Sequence, residues 1–122
     1  MRTAQQIFDT VVKWLRQQGC QSKADDESCF YRGPAGLKCA VGILLPDSAY
    51  NLLMEGNTVL DLVRENKARH WLPDDLANEF TTHMNLLMDL QHAHDSSLPI
   101  NWEIGFQEIA YEHGLTYTPP EE

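Results

Sequence analysis

The chain has 122 residues, 43% of them apolar, with 18 acidic side chains against 9 basic ones and a formal net charge of −9. That length suits one domain, which buries roughly two-thirds of its unfolded surface without a disulfide or metal staple. The charge argues against nucleic acid and anionic membranes as partners, since phosphate recognition needs the opposite sign; it suits solubility, a basic protein partner, or imitation of nucleic acid.

In chain order, Met1-Arg2-Thr3-Ala4-Gln5-Gln6 has no long apolar region and no small-residue cleavage pattern, so it does not read as a secretory signal. Thr3 reads as the N-cap of a first helix, with Gln6 at the capping-box position. Ile7, Val11, Trp14 and Leu15 recur at helical spacing, and Gly19 supplies a stop. A polar loop over 21–28 follows. Cys29-Phe30-Tyr31 and Leu37-Lys38-Cys39 then flank Arg32-Gly33-Pro34-Ala35-Gly36, which predicts a short β-hairpin. Ala40 to Leu45 predicts one or two buried helical turns ended by Pro46, with Gly42 marking close backbone packing. A brief helical piece runs from Tyr50 to Leu53, and Thr58 caps another helix.

The longest predicted helix starts near Pro73-Asp74 and carries Leu76, Phe80, Met84, Leu87, Leu90 and His94 along one stripe. A last helix follows Pro99, with Trp102, Phe106, Ile109 and Ala110 on its apolar face and Gly114 beyond it. The fold expected is α+β and mainly α: four to five helices packed around one short antiparallel β-hairpin at about residues 28–39. Residues 1–117 are expected to form a single globular domain, and 118–122 a frayed acidic tail. No apolar run approaches the ~20 residues of a membrane span. Three cysteines, an odd number, argue against a secreted disulfide framework and for free thiols in a reducing cytoplasm.

Tyr31-Arg32-Gly33-Pro34-Ala35-Gly36-Leu37-Lys38-Cys39-Ala40-Val41-Gly42, then Leu44-Leu45-Pro46-Asp47, Tyr50 and Met54-Glu55-Gly56, resembles a family of small proteins carried by bacteriophages, prophages and some bacteria. Leu90-Gln91, His94-Asp95 and Asn101-Trp102 fit the same pattern, as does the stretch from Phe106 to Leu115. The family has no established activity. Its members often carry a second cysteine where this chain has Ile43, and a proline between the tyrosine and Met-Glu-Gly; both are missing here. The resemblance implies a role in host takeover or counter-defence in the cytoplasm of a bacterial host.

Among side chains with chemistry, Cys39 stands where a strand would feed a helix, a placement that lowers a thiol pKa. With His94 and Asp95 it sketches a nucleophile, a base and an orienting carboxylate. Against this, a lone cysteine is most often a small buried hydrophobe, and adjacent helical residues such as His94 and Asp95 point apart. No metal is expected: Cys20, Cys29, Cys39 and five histidines are scattered, with no Cys-x-x-Cys or His-Glu-x-x-His. The glycines at 33 and 36 lack the Lys-Ser/Thr of a phosphate-binding loop, and no cofactor is implied. The candidate binding residues are Glu55, Trp71, Arg32 and Tyr50, with Trp71 as an exposed anchor.

The function expected is a non-enzymatic, acidic protein-interaction module of phage type that binds and inhibits a host or defence protein. Two other classes stand beside it. One is a cysteine-dependent hydrolase or transferase using Cys39 with His94 or His83; the other is a small-ligand sequestering protein. A protein partner is expected, no nucleic acid and no membrane, with a homodimer through a leftover apolar strip as a further expectation.

Overall fold

The computed structural model describes residues 1–23 and 29–120. Within them run five α-helices: α1 (Ala4–Gln18), α2 (Val59–Arg69), α3 (Asp74–Thr82), α4 (Met84–Ser96) and α5 (Trp102–Glu112). Single 3-10 turns lie at Pro34–Gly36, Gly42–Leu44, Leu52–Met54 and Pro99–Asn101.

Helix α1 forms where its capping chemistry is strongest. Gln6 N donates to Thr3 Oγ1 at 3.1 Å and Thr3 N donates to Gln6 Oε1 at 2.9 Å, a reciprocal box. Gly19 ends the helix at φ +69°, a left-handed conformation that glycine adopts without strain. Ile7, Phe8, Val11, Val12 and Leu15 form the buried face. Thr58 and Asp61 make the same box at the start of α2. Helix α4 is the hub, packing on α1, α2, α3 and α5. Phe8, Phe80, Phe106, Leu87 and Leu90 meet there, fully buried.

The single long helix expected from Pro73 to His94 is two helices. The chain turns at His83 (φ −109°, ψ 26°) between α3 and α4. Thr81 Oγ1 donates back to Ala77 O at 2.8 Å, a bond that bends a helix, and two adjacent β-branched threonines weaken it further.

The β-hairpin is not present, and the α+β class gives way to a helical fold with no strand or sheet among the described residues. Ser28, where the hairpin was to begin, lies outside them. What remains is two isolated antiparallel bridges, Lys23 with Cys29 and Arg32 with Lys38. The reason is where the backbone donors go. Tyr31 N and Arg32 N bond the Glu55 carboxylate, and Lys38 N and O bond the Gln18 amide. Side chains satisfy the groups that a ladder would have paired. The predicted hairpin turn is a 3-10 turn closed by Leu37 N to Pro34 O at 3.2 Å, with Gly33 N donating across it to Leu37 O at 2.8 Å.

Next to it, Gly42 lies against the Tyr31 backbone so closely that a Cβ there would sit 2.1 Å from Tyr31 O. At the other end, Thr116 exchanges two hydrogen bonds with Gln5, and Thr118 O accepts from Arg16 at 2.8 Å. The expected frayed tail therefore begins with a tied residue, and Glu121 and Glu122 lie outside the described residues. Among the described residues, no helix is long and apolar enough to cross a membrane.

Candidate functional site

Three of the four candidate binding residues, Arg32, Tyr50 and Glu55, come together, and they bind one another. Glu55 accepts from Tyr31 N (2.8 Å), Arg32 N (3.1 Å) and Tyr50 Oη (2.6 Å). Burial first, then the Glu55 carboxylate, push the Tyr50 hydroxyl up, so it stays protonated as a donor. The Arg32 guanidinium lies over the Tyr50 ring, donates to Leu45 O at 2.6 Å and pairs with Asp47 at 2.9 Å. The cluster clamps the 42–56 segment onto Tyr31-Arg32. Trp71, expected as a bare anchor, is half-buried with Arg69 stacked 5.3 Å above its ring.

Cys39 is packed. It is 1% exposed, and its sulfur accepts from Gly42 N at 3.3 Å. Burial dominates and pushes the thiol up to about 12, outweighing the bonds from the Gly42 amide and the Gln91 side chain. A nucleophile needs the opposite shift. His83 lies at the α3–α4 junction and lines a different surface groove, with Ala4 and His113.

The thiol that does meet His94 and Asp95 is Cys29. One ligating atom from each of the three lies within 4.8 Å of the others. The sequence reading placed Cys29 opposite Cys39 and missed this grouping. The expectation that His94 and Asp95 diverge also fails: Nδ1 to Oδ1 is 2.7 Å. Gln91, one turn earlier, donates to the same Oδ1 at 2.7 Å and folds the carboxylate back along α4, within reach of the imidazole.

This wiring does not make a triad. His94 is fully buried, and Ser22 N donates to its Nε2 at 3.0 Å. A backbone N–H is an obligatory donor, so Nε2 carries no proton and Nδ1–H donates to Asp95. The one basic lone pair is already in use and faces Ser22 rather than a thiol. Burial, then the Asp95 carboxylate, raise the Cys29 thiol to about 11. The same network tests the metal reading. Coordination through Nδ1 moves the ring proton to Nε2 and sets it against Ser22 N–H, donor against donor. The three groups therefore do not fit a metal, and no step is derived through one.

The network's evident work is structural. Gln21 Nε2 caps α4 through His94 O (2.8 Å) and Ser97 O (3.0 Å), and His94 stacks on Trp102 at 5.7 Å. Gln91 joins Asp95 to Val41 N at 3.0 Å.

Two surface features remain, the first of them bordered by members of these networks. One is a cleft of about 540 Å³ between α4, the 29–31 segment and the start of α2. The other is the outer face of α5. Trp102, Phe106, Ile109 and Ala110 turn inward, leaving Ile104 (63% exposed) and Tyr111 (89%) outward, with Ile100 (86%) exposed in the 3-10 turn before the helix. At 100° per residue Ile104 and Tyr111 fall within about 20° of each other, opposite the buried face. Comparison with protein-family models, curated proteins and solved structures finds no match.

Proposed function

We propose that the protein is a non-enzymatic, acidic interaction module that docks on a basic protein partner through the outer face of α5. The observation that carries this reading is the Ile104–Tyr111 stripe: two large apolar side chains in solvent on one face of α5, with a third, Ile100, exposed in the turn before it. Contiguous exposed apolar groups rimmed by charge mark interaction surfaces. Glu108 and Glu112 flank the stripe, and residues 102–112 contain no lysine or arginine. A second copy on this face brings carboxylates against carboxylates, which opposes a homodimer there; a partner with lysine or arginine beside an apolar ridge complements it.

The resemblance to phage-borne proteins supports a host or defence protein as that partner, in the bacterial cytoplasm, with inhibition as the outcome of docking. The rival thiol chemistry has lost its support, because Cys39 is sealed and the His94 lone pair is engaged.

The test is photo-crosslinking from position 107, between Ile104 and Tyr111, in bacterial cytosol. One defined adduct is expected, lost in Ile104→Glu, a change on an exposed position that leaves the core alone. The same adducts from wild-type and Ile104→Glu protein overturn the reading.

A further inference from the structure

We propose that the cleft between α4 and the 29–31 segment binds an organic cation with an apolar body, with Asp95 as its counter-ion. The site shares no residue with the α5 stripe and does not rest on the docking reading.

Shape and lining come first. At about 540 Å³ the cleft falls in the size range of small-ligand pockets. Phe30, Tyr31, Val59 and Met88 give it apolar walls, and Glu55 and Asp95 are its carboxylates. Among the described residues no lysine or arginine lines it. The two carboxylates differ in what they have left to offer. Glu55 is committed to two backbone amides and the Tyr50 hydroxyl. Asp95 accepts from His94 Nδ1 and Gln91 Nε2 on Oδ1, and the Cys29 thiol bonds the same carboxylate. Its side chain is 37% exposed, so the carboxylate reaches the cleft as well as the network behind it. The network thus holds a partly exposed carboxylate in a fixed orientation at the cleft wall, a preorganised acceptor for N⁺–H.

The local field has the matching sign. Burial is the main cause that raises Tyr31, Cys39 and Cys29, and the Asp95 carboxylate adds to it in all three, with Glu55 and Asp61 contributing at Tyr31. An anion is disfavoured for the same reason. The helix end that would attract one, the start of α2, is closed by its own capping box of Thr58 and Asp61. The cation has two possible sources, a free amine or a lysine side chain of a protein, and both offer an ammonium on an apolar body.

The experiment is a ¹H–¹⁵N NMR titration of the full chain with phenethylammonium, its neutral N-acetyl analogue, phenylacetate and the dipeptide acetyl-Phe-Lys-amide. Saturable shifts confined to residues 29–31, 55–59 and 88–95 are expected with the cations. The neutral analogue and phenylacetate are expected to bind about tenfold more weakly or not at all. Asp95→Asn keeps an oxygen for His94 and Gln91 but removes the charge, and should weaken the cation about tenfold. Met88→Lys, at an exposed rim position, should do the same without touching the core. Tighter binding of the dipeptide assigns the cation to a protein side chain; tighter binding of phenethylammonium assigns it to a free amine. Equal binding of the neutral analogue, unsaturable shifts spread over the acidic surface, or unchanged affinity in folded Met88→Lys overturns the proposal.

Discussion

Helix α1 and the segment from Cys29 to Asn57 are ordered by different means. In α1 the amides from Ile7 onward find a carbonyl four residues back, and an apolar face packs against the hub helix. In 29–57 single polar side chains distant in sequence hold the backbone at several points: Glu55 at Tyr31 and Arg32, Gln18 at Lys38, Gln91 at Val41, and Arg32 at Leu45. An irregular segment can therefore be as well satisfied as a helix, but each bond has its own keeper. Damage should spread differently in the two. A polar substitution on a helix surface loses little, whereas one in the keeper set strips several backbone groups at once.

The largest effect should come from Gly42→Ala. The added methyl meets Tyr31 O at 2.1 Å and Tyr31 C at 3.0 Å, both backbone atoms that no rotamer change moves away. We expect a loss of about 3 kcal/mol, measured by urea unfolding, because overpacking against fixed atoms forces the segment off its clamp. A loss within experimental error means that the two backbones are not in contact. Glu55→Ala should follow at about 2 kcal/mol, since it leaves two amides and a hydroxyl without their acceptor. Glu55→Gln, which restores an oxygen, should recover part of that loss. If Glu55→Ala costs no more than a helix-surface change, the contrast between the two regions fails.

This division also explains what was legible beforehand. Capping pairs and helical periodicity are local, so Thr3 with Gln6, Gly19, Thr58 and the inner face of α5 can be read directly. The 29–39 stretch carries real hairpin signals in its aromatic flanks and its Gly-Pro turn. What decides its structure is Gln18 and Glu55, distant residues that compete for the same amides. Likewise Arg32, Tyr50 and Glu55 can be singled out from sequence, but not that they satisfy one another. Cys29 joins His94 and Asp95 only because Ser22 docks on the imidazole 72 residues away. The exposed side of α5 is a third case. Its buried face was evident, whereas the significance of Ile104 and Tyr111 depends on nothing covering them.

The smallest predicted effect separates the two regions by pH. The helical framework has a polar staple of its own: Arg2 donates to Glu79 through its backbone N (2.7 Å) and its guanidinium (2.8 Å), joining the chain start to α3. Burial alone would raise the Glu79 carboxyl. The Arg2 hydrogen bonds and charge outweigh it, and the net shift is downward from 4.5. A carboxyl depressed by folding contributes stability in full above its unfolded value and loses it as pH falls through the lower folded value. Glu79→Gln should therefore cost about 1 kcal/mol at neutral pH, since Arg2 is partly solvated. That difference should shrink as pH falls below 4.5 and close once pH has passed the lower folded value, where wild-type Glu79 itself becomes neutral. Urea unfolding of both proteins from pH 7 downward measures the gap. A gap that stays constant into acid assigns Glu79 to neutral hydrogen bonding, and would make its staple the same kind of device as the Glu55 clamp.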